Sequence, residues 1–264
     1  MRTETIKSFL IQSGGMHTME LRDSSITARL AAQGAMLYEL SVLARVVGDD
    51  RTRRAVRDAV IDRDVFVKAS EGARKKVFLK LSTKYFRQDT PVLINQLLRS
   101  VQSSADQSEV ALLAYATILW NDGLVFVLGT RWLAPKSGEH VSFSSDDVLG
   151  ELRFLSKKDF PTLQTWSEST LIRVSRHYLG LLRDCGFAVG SAKKALRWPY
   201  VPPRVIHYIA QLVLGGGEPA SGIPEHPMYR AMGLGVSAVV ERLEEAGYVI
   251  QGGRVLLPAG GADG

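Results

Sequence analysis

The sequence predicts a mainly α protein: a helical N-terminal domain followed by two winged-helix-like units that carry short β-hairpins. Three observations point there. Apolar residues recur at helical spacing through most of the first half of the chain. Basic residues crowd between Arg51 and Arg87, on what reads as two short amphipathic helices. In the second half a glycine-terminated helix is twice followed at once by two short apolar segments around a small turn.

The elements follow in order. Residues 1–25 carry Gly14-Gly15 and no clear periodicity, and read as a lead-in. From Thr27 to Val47 the apolar positions Leu30, Leu37, Leu40, Leu43 and Val47 keep helical spacing, with Gly34 as a break. Gly48-Asp49-Asp50 forms a turn, and Asp50 is suited to cap a helix from about Thr52 to Asp62 with Val56 and Val60 inside. Ser70 is placed to cap a third helix that reaches Phe86. On it Lys76, Lys80, Lys84 and Arg87 share one stripe, beside an apolar arc of Val77, Phe78, Leu81 and Tyr85. Burying that arc is expected to leave the lysine row pointing outward. Another helix follows Pro91, from about Val92 to Val101.

Val110 to Leu128 is nearly long and apolar enough to be a membrane span. Asn121-Asp122-Gly123 interrupts it with a strong turn signal that is costly at bilayer depth, so two buried segments are expected instead. No signal-peptide-like run opens the chain. The expected location is the cytoplasm. Leu133 to Ser145, with Pro135 and Gly138, reads as a linker closing a helical domain over residues 26–140.

A winged-helix-like unit is expected over 141–200. Ser145 or Asp146 opens a short helix to about Leu155. Ser167 caps a longer one from Glu168 to Cys185, and Gly186 stops it. Phe187-Ala188-Val189 and Ala195-Leu196-Arg197-Trp198 then flank a Gly190-Ser191 turn. A second such unit spans 201–257. Its first helix starts at Pro202 or Pro203 and ends at Gly215-Gly216-Gly217. A later helix runs from about Val236 to Ala246 and stops at Gly247. A hairpin then turns at Gly252-Gly253. Residues 258–264 read as a disordered tail.

The charge pattern carries the functional reading. The stretch from Arg51 to Arg87 holds twelve Lys and Arg against Asp58, Asp62, Asp64 and Glu71, a surplus of eight. The whole chain is only +6, so the remainder is slightly acidic. A cationic field so concentrated suits a polyanion, although a solvated helical face gives the same pattern. Arg53, Arg54, Arg57, Arg74, Lys75, Lys76, Lys80 and Lys84 are the candidate phosphate ligands. On the Glu168–Cys185 helix, Leu171, Val174, Tyr178, Leu181 and Leu182 face inward. Arg173 and Arg176 lie opposite, near the end that would enter a groove. Lys193 and Lys194, with Arg197, suit a wing against the backbone. The second unit offers Glu241, Glu244 and Glu245 against Arg242 and is expected to pack on protein.

Catalytic signatures are thin. No phosphate loop, dinucleotide fingerprint or His-Glu-x-x-His occurs, and the five histidines are scattered singly. One cysteine, Cys185, excludes a disulfide framework and a cysteine-rich zinc site. Trp120, Trp132, Trp166 and Trp198 are expected to anchor the core. No catalytic residue, metal or cofactor is expected.

Certain segments together resemble the BrxA family of BREX phage-defence systems. They are Thr52-Arg53-Arg54-Ala55-Val56-Arg57, the run from Arg74 to Leu81 with Tyr85, Trp166-Ser167-Glu168-Ser169-Thr170, and Gly180 to Phe187. The resemblance covers about Ile26 to Leu257. The lead-in before Ile26 and the long glycine-rich loop from Gly215 to Gly222 depart from it. It implies a small, mostly helical accessory protein that binds double-stranded DNA and acts beside a methyltransferase, an ATPase and other BREX proteins. It also implies an N-terminal part similar to the RNA-binding antitermination protein NusB. An older description of the family as inner-membrane protein conflicts with the Asn121-Asp122-Gly123 turn. The expected function is therefore non-enzymatic DNA binding in phage defence. A scaffold that docks another defence subunit and an RNA-binding protein are the alternatives.

Overall fold

The computed structural model describes residues 26–28, 34–86, 91–137, 141–191, 193–251 and 254–256. The lead-in 1–25, Leu30, Arg87, the Gly252-Gly253 turn and the tail 258–264 lie outside them. The protein is mainly α, as predicted. Helices α1 (Leu37–Val46), α3 (Glu71–Tyr85) and α4 (Pro91–Gln102) pack around α5 (Gln107–Asn121), and α2 (Arg53–Arg57) packs on α3. From Val110 to Leu119 every side chain of α5 is buried, so the helix has no solvent face. It packs on α1, α3, α4, on α9 (Pro203–Gly215) and on α10 (Pro227–Ala231).

The apolar stretch breaks where the turn was predicted. Asp122 caps α6 (Gly123–Val127), its carboxylate accepting the amides of Leu124 at 3.0 Å and Val125 at 3.2 Å. The helical path bends there by 107°. Among the described residues no single helix is long and apolar enough to cross a membrane. The path continues through a wider i→i+5 turn to Leu133 and a 3-10 turn to Lys136.

Local signals set several helix starts. Ser70 accepts the amide of Ala73 at α3, and Ser167 that of Thr170 at α8 (Glu168–Asp184). Thr52, rather than Asp50, caps α2 through the amide of Ala55. Ser144 starts α7 (Ser145–Lys158) with a reciprocal bond between its own amide and Asp147.

The stretch expected to be a linker contains β1 (Ser142–Phe143), which pairs antiparallel with β3 (Lys194–Leu196). β3 pairs in turn with β2 (Ala188–Val189), giving the sheet order β1-β3-β2. A two-residue strand is too short to display alternation, so the sequence hides it. After α9 come a 3-10 turn (Ala220–Glu225), α10, α11 (Val236–Glu245) and the hairpin β4 (Val249–Gln251)–β5 (Arg254–Leu256).

One apolar cluster runs from Ile26 to Val255 through all of these elements. Tyr115 of α5 meets Phe187 at 4.6 Å between ring centroids, and Trp132 meets Tyr178 at 6.0 Å. Thr117 bonds the Tyr208 hydroxyl at 2.8 Å, tying α5 to α9. Trp132 is buried, while Trp120, Trp166 and Trp198 pack half-buried against the core.

Trp198 is seated by Gly233, which has φ +81 and lies so close to the indole that a Cβ would overlap it. Gly233→Ala should therefore cost about 2–4 kcal/mol in urea unfolding, from backbone strain and overpacking together. Stability within experimental error of the parent would refute that seat.

His226 caps α10 through Nδ1, which accepts the amide of Met228 at 3.4 Å, and it is buried beside Trp120. Burial, with Arg230 adding, lowers its pKa from 6.5 to about 4. The folded state thus holds this proton more weakly than the unfolded chain. Its contribution is complete above pH 6.5 and is lost as pH falls toward 4, by up to about 3 kcal/mol. His226→Asn keeps an acceptor at the cap and should flatten that part of the pH–stability profile; an unchanged slope would assign it to other groups.

Candidate nucleic-acid interface

The predicted cations fall into three structural situations. On α2 and the first turns of α3, Arg54, Arg57 and Lys75 lie against neighbouring acids. After α2 the backbone widens, with the Arg63 amide bonding the Asp58 carbonyl five residues back. That geometry sets Asp62 beside Arg57, whose guanidinium meets Asp58 at 3.1 Å and Asp62 at 3.2 Å. Arg54 extends into solvent with Asp58 at 4.0 Å. Lys75 pairs with Glu71 at 2.6 Å, and this bond holds the exposed Glu71 carboxyl below its usual pKa. Such exposed pairs add little stability, but they cut the free charge. Arg53, Arg74 and Lys80 are half-buried.

Two predicted ligands are buried, which corrects the expected outward lysine row and the wing pair. Lys84 is only 7% exposed. The first turns of α3 bury nothing fully, whereas its last turn sinks against α5, where Asn121 donates to the Lys84 carbonyl at 2.9 Å. Burial lowers the Lys84 pKa, opposed chiefly by the Asp122 carboxylate. The i, i+4 stripe is real, but a helix driven end-first into the body loses its outer face along the way. Lys194 is buried in β3, and its ammonium donates to the carbonyls of Gly190 at 3.1 Å and Ser191 at 2.9 Å. It closes the hairpin turn, leaving Lys193 and Arg197 exposed.

Lys76, Arg173, Arg176 and Lys193 are exposed and make no ion pair among the described residues. Arg173 and Arg176 project from α8, whose Leu171, Val174, Tyr178, Leu181 and Leu182 are buried as predicted. Arg183 extends the stripe, although it also meets Asp184 at 2.8 Å. Sequence reasoning passed over Arg183, and the 3, 4, 3 spacing through position 180 was the signal that could have found it. Glu168, the acid of the first turn, is paired with Arg153 of α7.

The structure also joins the two basic regions. His177, on α8 and half-buried, has its pKa lowered by burial and then by the charges of Lys84 and Arg173. The last turn of α3 and the end of α8 both reach the segment ahead of α1 at Ala35. Beneath this junction Asp184 accepts the amide of Ala35 at 3.1 Å, and the Tyr85 hydroxyl donates to the Ala35 carbonyl. A Cβ at Gly34 would overlap the Asp184 carboxylate, so a larger residue there would push that side chain off the Ala35 amide. Cys185 is buried, and burial raises its pKa, which suits packing rather than nucleophilic chemistry. Among the described residues no group of His, Cys, Asp and Glu is arranged to hold a metal.

Fold and site together define a mainly helical protein in which a strand–helix–helix–hairpin unit adjoins a cationic helical face. The chain belongs to the BrxA family, whose sequence model matches residues 26–212. It is accordingly a protein associated with BREX phage defence. An uncharacterized protein from Magnetospirillum magneticum, known from a crystal structure, has a similar fold. The TM-score is 0.59, over 79% of this chain and 98% of that one, at 13% identity. No curated protein matches the chain.

The burial of Lys84 has a direct consequence. Lys84→Glu should destabilise the protein by about 3 kcal/mol or more, because it sets an unpaired charge in a dry site beside Asp122. Lys76→Glu, on the exposed face, should stay within about 0.5 kcal/mol in the same urea titration. Equal effects would refute the different placement of the two lysines.

Proposed function

We propose that this protein is a non-enzymatic, double-stranded-DNA-binding accessory of a BREX system, acting in the cytoplasm. The observation that carries the reading is the exposed pair Arg173 and Arg176 on α8, which make no ion pair among the described residues. They stand within a β1–α7–α8–β2–β3 unit of sheet order β1-β3-β2, an arrangement like that of winged helices. In such a unit the second helix enters the major groove, its arginines reach guanine edges or phosphates, and the hairpin touches the adjoining backbone. Lys193 and Arg197 supply the hairpin contacts. Lys76 and Arg54, on the flank formed by α3 and α2, supply longer-range attraction.

A predominantly electrostatic contact is expected to weaken steeply with salt. Arg173→Ala combined with Arg176→Ala should lower duplex affinity at least about tenfold and reduce the log–log salt slope by about 2. An anisotropy titration of purified protein across salt concentrations checks both. Duplex affinity unchanged in the double variant would reject the assignment of α8. Loss of a defence-subunit contact in that same variant would assign its cations to protein docking.

A further inference from the structure

The outer face of α7 ends in a feature that duplex binding does not use. Val148, Leu149, Leu152 and Leu155 of this helix are buried, so positions 150, 153, 154, 157 and 158 face solvent. Those positions hold Gly150, Arg153, Phe154, Lys157 and Lys158. Phe154 is 52% exposed, and among the described residues it is the sole exposed phenylalanine. Unlike the exposed Tyr38 and Tyr200, it has no polar tip to account for contact with water. The Lys158 ammonium lies 5.2 Å from its ring centroid. Lys157 is exposed without an ion pair among the described residues, and Arg153 is exposed while touching Glu168. The acid that follows, Asp159, is held by Arg131 at 2.6 Å. Glu151 is half-buried and acted on by Lys136 and Arg131. The second half of α7 thus presents an aromatic ring set among three cations.

We infer that this face binds single-stranded nucleic acid, with an unpaired base stacking on Phe154 and a flanking phosphate held by Lys157. Aromatic rings among basic side chains suit a single strand because every base has a π-face, while the backbone repeats its charge. A duplex offers the same phosphates but keeps its bases stacked on one another, so it gives the phenyl ring nothing to do. The inference goes beyond the proposed duplex contact, which rests on α8, and makes no use of Arg173 or Arg176.

The experiment measures binding of the full chain to a labelled oligothymidylate and to an abasic oligomer of equal length, with a duplex run in parallel. The parent should favour the oligothymidylate over the abasic strand by about tenfold. Phe154→Leu, which keeps apolar bulk on the helix, should lose that preference without weakening abasic binding, and Phe154→Tyr should retain it. Lys157→Glu should weaken both strands. A parent with no preference for bases, or a Phe154→Leu variant that keeps it, overturns the inference. Duplex binding that fails while the base preference persists would count against the α8 reading alone.

Discussion

A helix with no solvent face governs this structure. Because α5 is apolar around its whole circumference, it can exist in water only when neighbours cover every side, and α1, α3, α4, α9 and α10 do so. The requirement explains why the apolar cluster is continuous from Ile26 to Val255. It also explains the bend at Asp122. A carboxylate that satisfies two otherwise unbonded amides lets the chain leave the interior at once, at an angle no straight helix could reach. The charged faces of α3, α7 and α8 are what remains on the outside of that shell.

The distribution of free charge follows from local geometry more than from composition. The densest basic stretch is also where Asp58, Asp62 and Glu71 fall within reach of Arg57 and Lys75, so its formal surplus overstates the field it presents. On α8 the only acid of the first turn is held by Arg153 of the neighbouring helix, which leaves Arg173 and Arg176 unopposed. Among the described residues, the exposed cations without an ion pair therefore include Arg173 and Arg176 of α8 as well as Lys76 of α3.

Much of the fold was legible because its signals are local. Ser70 and Ser167 cap the helices they were expected to cap, Gly186 and Gly247 stop theirs with positive φ, and Asn121-Asp122-Gly123 breaks the long apolar run. What escaped depended on tertiary placement. The sequence shows that Lys84 lies on the stripe of Lys76 and Lys80, but not that the last turn of α3 enters the body. It shows Lys194 beside Lys193 without revealing that one ammonium is spent on two carbonyls of its own turn. The two residues of β1 become a strand only because β3 arrives to pair with them.

The bond between Asp184 and Ala35 joins residues 149 positions apart. During synthesis α1 thus emerges long before the carboxylate that secures the backbone ahead of it exists. At about 5–20 residues per second, that interval is roughly 7 to 30 s. Until then the greasy faces of the early helices have no finished surroundings, and the nascent chain must bridge the gap in a provisional collapse or under a chaperone's cover. The bond that ties the backbone ahead of α1 to α8 is therefore timed by the ribosome's progress through α8.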